Sequence, residues 1–185
     1  MNDASCSARQ YVNSQRGFTL VDVLVTTGVL GVLAGLAVPA FNNLLKSDRC
    51  IGQLNTLAAS LNYARTEAVK RNTGVTVCPS TNGASCSGGT DWSGGWVVVD
   101  SNRANAPLRS MPPLKDRMTL SVTGSAAGIT FESTGRVMPM MNTAMTICDA
   151  RGAEFARAIE VSSSGHIAAA QKAGQSLSGA ALRCP

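Results

Sequence analysis

The sequence is short of the residue types that catalysis and metal binding draw on. Of its 185 residues only one is histidine, His166. A Cys/His zinc site would therefore need an unusual ligand set, and no metal or other cofactor is expected. There is no phosphate-binding loop and no pair of carboxylates at a useful spacing. The run Ser162-Ser163-Ser164-Gly165-His166 offers no defensible Ser/His/Asp order and reads as a polar turn, so an enzyme is not expected. Aromatics make up 4% and charged residues 15%. That balance excludes a charged helical bundle and suits short strands with many turns. The net charge of +5 comes without long Lys/Arg runs, unlike a dedicated nucleic-acid binder. Six cysteines are present with no CxxC pair. In a reducing cytoplasm so many would be unmotivated, whereas an oxidising compartment makes them readable as disulfides.

What the sequence does have is one long apolar run. Residues 18–41, FTLVDVLVTTGVLGVLAGLAVPAF, form a stretch of 24 with a single charge, Asp22. As a helix this is long enough to cross a bilayer core of roughly 30 Å. Asp3, Arg9 and Arg16 precede it and Lys46, Asp48 and Arg49 follow it, so charge alone does not orient it. An ordinary secretory signal is cut after its apolar run. Ala34, Ala37 and Ala40 provide only a forced site of that kind. A carboxylate inside an apolar helix is costly and marks function by default.

Beyond Pro39 the apolar residues keep helical spacing: Ile51, Leu54, Leu57, Leu61, Ala64 and Ala68. One nearly continuous helix is predicted over about 18–71, roughly 80 Å long at 1.5 Å per residue. It should stop at Asn72-Thr73-Gly74, with glycine at the exit. From 74 the period becomes two. Short strands are predicted around 75–77, 96–99, 120–122, 129–131, 145–147 and 159–161, separated by Gly, Asn, Ser and Pro clusters. Two segments echo one another, Ile129 to Val137 and Ile159 to Ile167, each a strand, a polar turn closed by Gly135 or Gly165, and a returning strand. The expected fold is α+β, a long helix packed on a β-rich head.

Arg16-Gly17-Phe18-Thr19-Leu20-Val21-Asp22 resembles the prepilin-peptidase site of type IV pilins and type II secretion pseudopilins. Tyr63 to Asn72, Val75 to Ser80 and Asp91 to Val98, which carries Trp92 and Trp96, resemble the GspH/FimT group of minor pilins and pseudopilins. The resemblance implies cleavage after Gly17 and methylation of Phe18 as the mature N-terminus. It implies that Asp22, where the family usually has Glu, pairs with the N-terminal amine of a neighbouring subunit, and that Pro39 sits where a helix kink is common. The implied organisation is a leader over 1–17, a transmembrane and assembly helix over 18–41, an amphipathic continuation over 42–72 and a periplasmic two-sheet head over 73–185. The implied partners are the prepilin peptidase, other pilins or pseudopilins in a filament, and the bacterial inner membrane, crossed once. The implied function is that of a minor type IV pilin, with a pseudopilin of type II secretion as an alternative. From the residues themselves, Trp92 and Trp96 read as core or turn-packing side chains.

A second alternative is DNA binding. Some members of the group bind DNA in natural transformation, partly through a Gly-Arg-x-Arg motif. The matching segment here is Gly165-His166-Ile167-Ala168, which has lost both arginines. The remaining candidates for phosphate contact are Arg103, Arg109, Lys115, Arg117 and Arg136. Among the cysteines, Cys6 falls in the leader. Cys78 and Cys86 bracket a small polar loop, and Cys148 and Cys184 would tie the C-terminal segment to a strand, although sequence does not fix connectivity. Cys50 lies at the apolar spacing of the helix and reads as a buried thiol, with an intermolecular disulfide as the alternative.

Overall fold

The computed structural model describes residues 17–102, 106–124 and 128–185, and of Pro39 the backbone only. The leader residues 1–16 and Arg103 lie outside the described residues. The chain divides into two units, Met1–Asn42 and Asn43–Pro185.

Helix α1 (Leu20–Arg71, 52 residues) contributes to both units. It begins two residues later than the pattern predicts, because Thr19 is its N-cap: the Thr19 side chain accepts the Asp22 N–H at 3.2 Å. Its end also differs from the expectation of a glycine exit. Asn72, not Gly74, takes the left-handed conformation, at φ +53. Thr73 N–H donates to Ala68 O and Asn72 N–H to Val69 O, the paired closing bonds of a Schellman end. Asn tolerates left-handed backbone better than most residues, so it substitutes for glycine. The last turn carries Lys70 and Arg71, which suit the negative end of the helix dipole.

In the second unit two antiparallel sheets pack with the helix. The first has the order β3-β2-β1-β5-β6 and the second β4-β7-β8-β9. Their strands are β1 (Val75–Pro79), β2 (Trp96–Asp100), β3 (Arg109–Met111), β4 (Thr119–Thr123), β5 (Ile129–Phe131), β6 (Val137–Met138), β7 (Thr143–Cys148), β8 (Arg157–Val161) and β9 (Ile167–Ala169). A short 3-10 turn, Ala153–Phe155, precedes β8. The β3 edge strand is unforeseen from the pattern, since Arg109-Ser110-Met111 carries no apolar alternation and is paired only through β2.

The core forms where the helical stripe meets both sheets. Cys50, Leu54, Leu57, Leu61, Ala64 and Ala68 recur at steps of four and three and are all buried. Leu57 and Leu61 are fully enclosed, and truncating either to Ala should cost about 2–5 kcal/mol. The strands contribute alternate residues, such as Val75 and Val77 of β1 and Met145 and Ile147 of β7. Trp92 and Trp96 are buried in the same cluster, in keeping with a packing role. On the outer face of the first sheet, Cys78 pairs across strands with Val97. With Val99 they form a second, smaller cluster.

Candidate functional site

Among the described residues, the first unit presents an apolar surface with no cover of its own. Along α1, Leu20, Leu24, Leu30 and Leu36 are each more than half exposed, as is Phe18 at 89%. The helix is long and apolar enough to cross a membrane by length and composition. A Cβ added at Gly28, Gly31 or Gly35 would meet nothing within 4 Å. Among the described residues nothing therefore requires those positions to be small. Their i, i+3, i+7 spacing puts them on one face, as suits close approach of another helix.

Asp22 sits in the first turn of this helix. Its Oδ2 accepts the Thr19 N–H at 3.0 Å and the Thr19 hydroxyl at 2.7 Å, and the Asp22 N–H returns a bond to Thr19 Oγ1. This is a capping box, with Asp in the place of the usual Glu. One carboxylate oxygen is thus occupied within the chain itself. The shorter Asp side chain suits that local role, and Thr19 is the residue the sequence reading missed. Thr26 and Thr27 turn their hydroxyls back onto the carbonyls of Asp22 and Val23, so the helix satisfies its own polar groups. Pro39 lies inside α1.

In the second unit the organising feature is a meeting of two hairpin turns. In the β5–β6 turn, Glu132 N–H donates to Arg136 O and Gly135 N–H to Glu132 O. In the β8–β9 turn, Ser162 N–H donates to His166 O and Gly165 N–H to Ser162 O. The two turns are built alike, as their sequences suggest. Gly135 and Gly165 supply the positive φ at +76 and +81. One hairpin belongs to each sheet, and they touch: Val137 N–H donates to Ser163 O at 3.1 Å. A Cβ on Gly165 would run into Gly135 O. Arg65 of α1 closes the junction by donating its Nε–H to Gly135 O at 3.1 Å. Nothing in the polar pattern of the helix distinguished Arg65 from a solvated cation.

The cysteines are placed as follows. Cys78–Cys86 and Cys148–Cys184 are disulfide-bonded, across 8 and 36 residues. Cys50 is a free, buried thiol. Its Sγ lies 3.4 Å from Asp149 Oδ2 and 3.9 Å from Met118 Sδ. Burial, helped by the Asp149 charge, pushes the thiol up to about 11. Burial pushes the Asp149 carboxyl the other way from its neighbours, but the bonds from Arg151 outweigh it and hold the group below its usual value. Arg151 reaches Asp149 Oδ2 at 2.6 Å through Nη2, stacks over Phe155 at 4.4 Å and donates to Asn43 O and Ser47 Oγ. It fastens the head to the helix segment just before Cys50.

A family model described as "Type II transport protein GspH" matches residues 53–165 of this chain. The chain belongs to the GspH family. Among known relatives of GspH-family chains like this one, the "Pilin-like protein PilA1" of Thermus thermophilus is 36% identical over 93 residues. That match covers 50% of this chain and 52% of the relative. The "Prepilin peptidase-dependent protein D" of Escherichia coli is 28% identical over 82 residues, covering 43% of this chain and 49% of the relative. The chain thus spans about half the length of the curated relatives it matches. Among solved structures, the type IV minor pilin FimU of Pseudomonas aeruginosa aligns at 25% identity with a TM-score of 0.53, covering 66% of this chain and 94% of that chain. The GspH family is one of structural pilins and pseudopilins, and the α+β architecture described above is the minor-pilin fold.

Within this GspH-family head, the described cations named as candidate DNA contacts lie on separate elements, two of them at opposite edges of the first sheet. Arg109 lies on edge strand β3, with its guanidinium over the Tyr63 ring at 4.6 Å. Arg136 precedes β6 at the other edge of the same sheet, and its Nη2 donates to Met140 Sδ at 3.2 Å. Four inter-strand steps separate those edges by about 19 Å. Lys115 and Arg117 flank Asp116, which pairs with Arg49. Arg136 follows Gly135, which is bonded to Arg65. The sixteen helical steps from Arg49 to Arg65 set those two places about 24 Å apart along the axis. His166 lies in the β8–β9 turn and Ala168 on β9.

Proposed function

We propose that this GspH-family chain is a minor type IV pilin, a structural subunit that is processed after Gly17, held in the inner membrane by residues 18–41 and built into a filament with other pilins. The single observation that supports it best is the uncovered apolar surface of α1 up to Phe41, in a helix whose next segment is packed into a folded head. Such a surface needs lipid before assembly and other helices afterwards. Phe18 is the mature N-terminus in this reading, and Gly28, Gly31 and Gly35 admit neighbouring helices. Asp22 keeps one carboxylate oxygen on its own cap and offers the other to the N-terminal amine of an adjacent subunit. Pro39 provides the point at which the helix yields in a filament. The prepilin peptidase is the processing partner. The head lies on the periplasmic side, where its disulfides are stable.

The structural alignment to the type IV minor pilin FimU, which spans 94% of that chain, favours a pilus over a secretion pseudopilus. The family's designation as a type II transport protein supports the pseudopilin as the second reading. Shearing filaments from cells and blotting for the chain tests the choice. It should appear at low abundance in sheared pili, and deleting it should reduce surface pili. Normal piliation with impaired protein secretion would favour the pseudopilin. The DNA-binding reading is not taken up, given the dispersal of the candidate cations.

A further inference from the structure

The chain immediately beyond the apolar run forms one wall of a cavity that neither the assembly helix nor the β core explains. The cavity measures about 320 Å³, and Lys46, Arg49, Asp116, Arg117, Met118 and Asp149 contribute to its lining. That volume is at the small end of ligand sites, suited to a headgroup-sized molecule. Lys46 and Arg49 come from successive positions i and i+3 of α1 and share a face. Arg117 comes from the turn before β4, where it and Asp116 both take left-handed backbone at φ +56 and +59. Met118 N–H closes that turn onto Lys115 O. Two successive non-glycine residues in this conformation are costly, about 1–2 kcal/mol each, and such strain concentrates at functional positions.

The charge balance favours an anion. Asp149 is already neutralised by Arg151 at 2.6 Å, and Asp116 by Arg49 at 2.7 Å. Lys46 and Arg117 have no ion pair among the described residues. Met118, itself buried, adds an apolar group to the lining. Cations with uncommitted donors beside an apolar wall match a phosphate carried on a glycerol-like, partly apolar group.

Position along the chain indicates the source of that phosphate. Lys46 follows Phe41 by five residues. Five residues rise about 7.5 Å as helix and span at most about 18 Å fully extended. The polar layer of a bilayer is itself roughly 5–7 Å deep on each side. With residues 18–41 in the membrane, the helical rise puts Lys46 at about the outer edge of the lipid headgroup layer. We infer that this cavity is a binding site for the phosphate headgroup of an anionic membrane lipid, held by Lys46 and Arg117 with Arg49 in support. The site rests on the membrane reading of residues 18–41. It gives the subunit a fixed seat at the bilayer surface before it enters a filament.

The test uses the full chain and native mass spectrometry after reconstitution in mixed vesicles of phosphatidylcholine and phosphatidylglycerol in equal parts. Wild type should retain phosphatidylglycerol in preference to phosphatidylcholine. The double variant Lys46→Gln, Arg117→Asn should bind it about thirtyfold more weakly, since each cation near an anionic surface is worth about fivefold. Asn is chosen because it tolerates the left-handed position. Lys46→Arg with Arg117→Lys should keep the preference. Equal retention by wild type and the neutral variant, or no preference in wild type, overturns the site. Displacement of the lipid by millimolar inorganic phosphate overturns the lipid source and assigns a free-phosphate site. Flotation with pure phosphatidylcholine vesicles reports the anchor separately. A wild type that floats but shows no preference overturns the site alone, and a wild type that fails to float overturns the membrane reading with it.

Discussion

Replacing Gly165 by Ala probes the junction on which the two sheets meet. The substitution does two things. It places a side chain at φ +81, and it drives a Cβ into Gly135 O. The first effect alone costs about 1–2 kcal/mol. Relieving the second requires the two turns to separate, which breaks the Val137–Ser163 and Arg65–Gly135 hydrogen bonds. At about 1 kcal/mol for each net bond, the total loss is about 3–4 kcal/mol. Gly179 provides the control. Its turn repeats the same pattern, with Ser176 N–H donating to Ala180 O and Gly179 N–H to Ser176 O. Its φ is +84, and a Cβ there meets nothing within 4 Å. Gly179→Ala should therefore cost only the backbone part, about 1–2 kcal/mol. Urea unfolding of the full chain in detergent micelles measures both, read by tryptophan fluorescence because Trp92 and Trp96 are buried in the head. If Gly165→Ala costs no more than Gly179→Ala, the two turns do not brace each other and the reasoning fails.

Removing the Cys148–Cys184 bridge as a double serine variant should lower stability by about 4 kcal/mol, and removing Cys78–Cys86 by about 2.5, on the chain-entropy account of loops of 36 and 8 residues. The reverse order in denaturant unfolding would contradict that account. Cys50 should resist thiol reagents at neutral pH until the head unfolds. Its neutral form is favoured by folding, so the stability tied to it is whole below about pH 9 and is lost as pH rises toward 11. A flat stability profile across that window would refute the burial argument. The full chain at micromolar concentration should give no salt-sensitive retardation of duplex DNA. Retardation that weakens steeply with salt would show that the separated cations act together.

Most of the fold was legible because its signals are local. The 18–41 apolar run, the stripe from Leu54 to Ala68, and the switch to period two after Gly74 each depend on residues near one another in sequence. Features made by distant pairings were not legible. Strand β3 exists because Trp96 to Val98 offers it a paired edge. Arg65 matters because two hairpins 30 residues apart converge on it, and Asp149 and Arg151 matter because they meet Asn43, Ser47 and Cys50 across the fold. The Asn72 exit was missed because glycine outranks asparagine as a left-handed residue, although either satisfies the geometry. Thr19 and Asp22 stand three apart as a capping box does, a local signal legible from the sequence.

The mass of the mature chain tests the central claim most directly. Expressed with its prepilin peptidase and extracted from the membrane, the protein should begin at Phe18 and carry one methyl group on that amine. A chain that keeps residues 1–17, or one cut after the apolar run near Ala40, would contradict the assignment of residues 18–41 as the retained assembly helix.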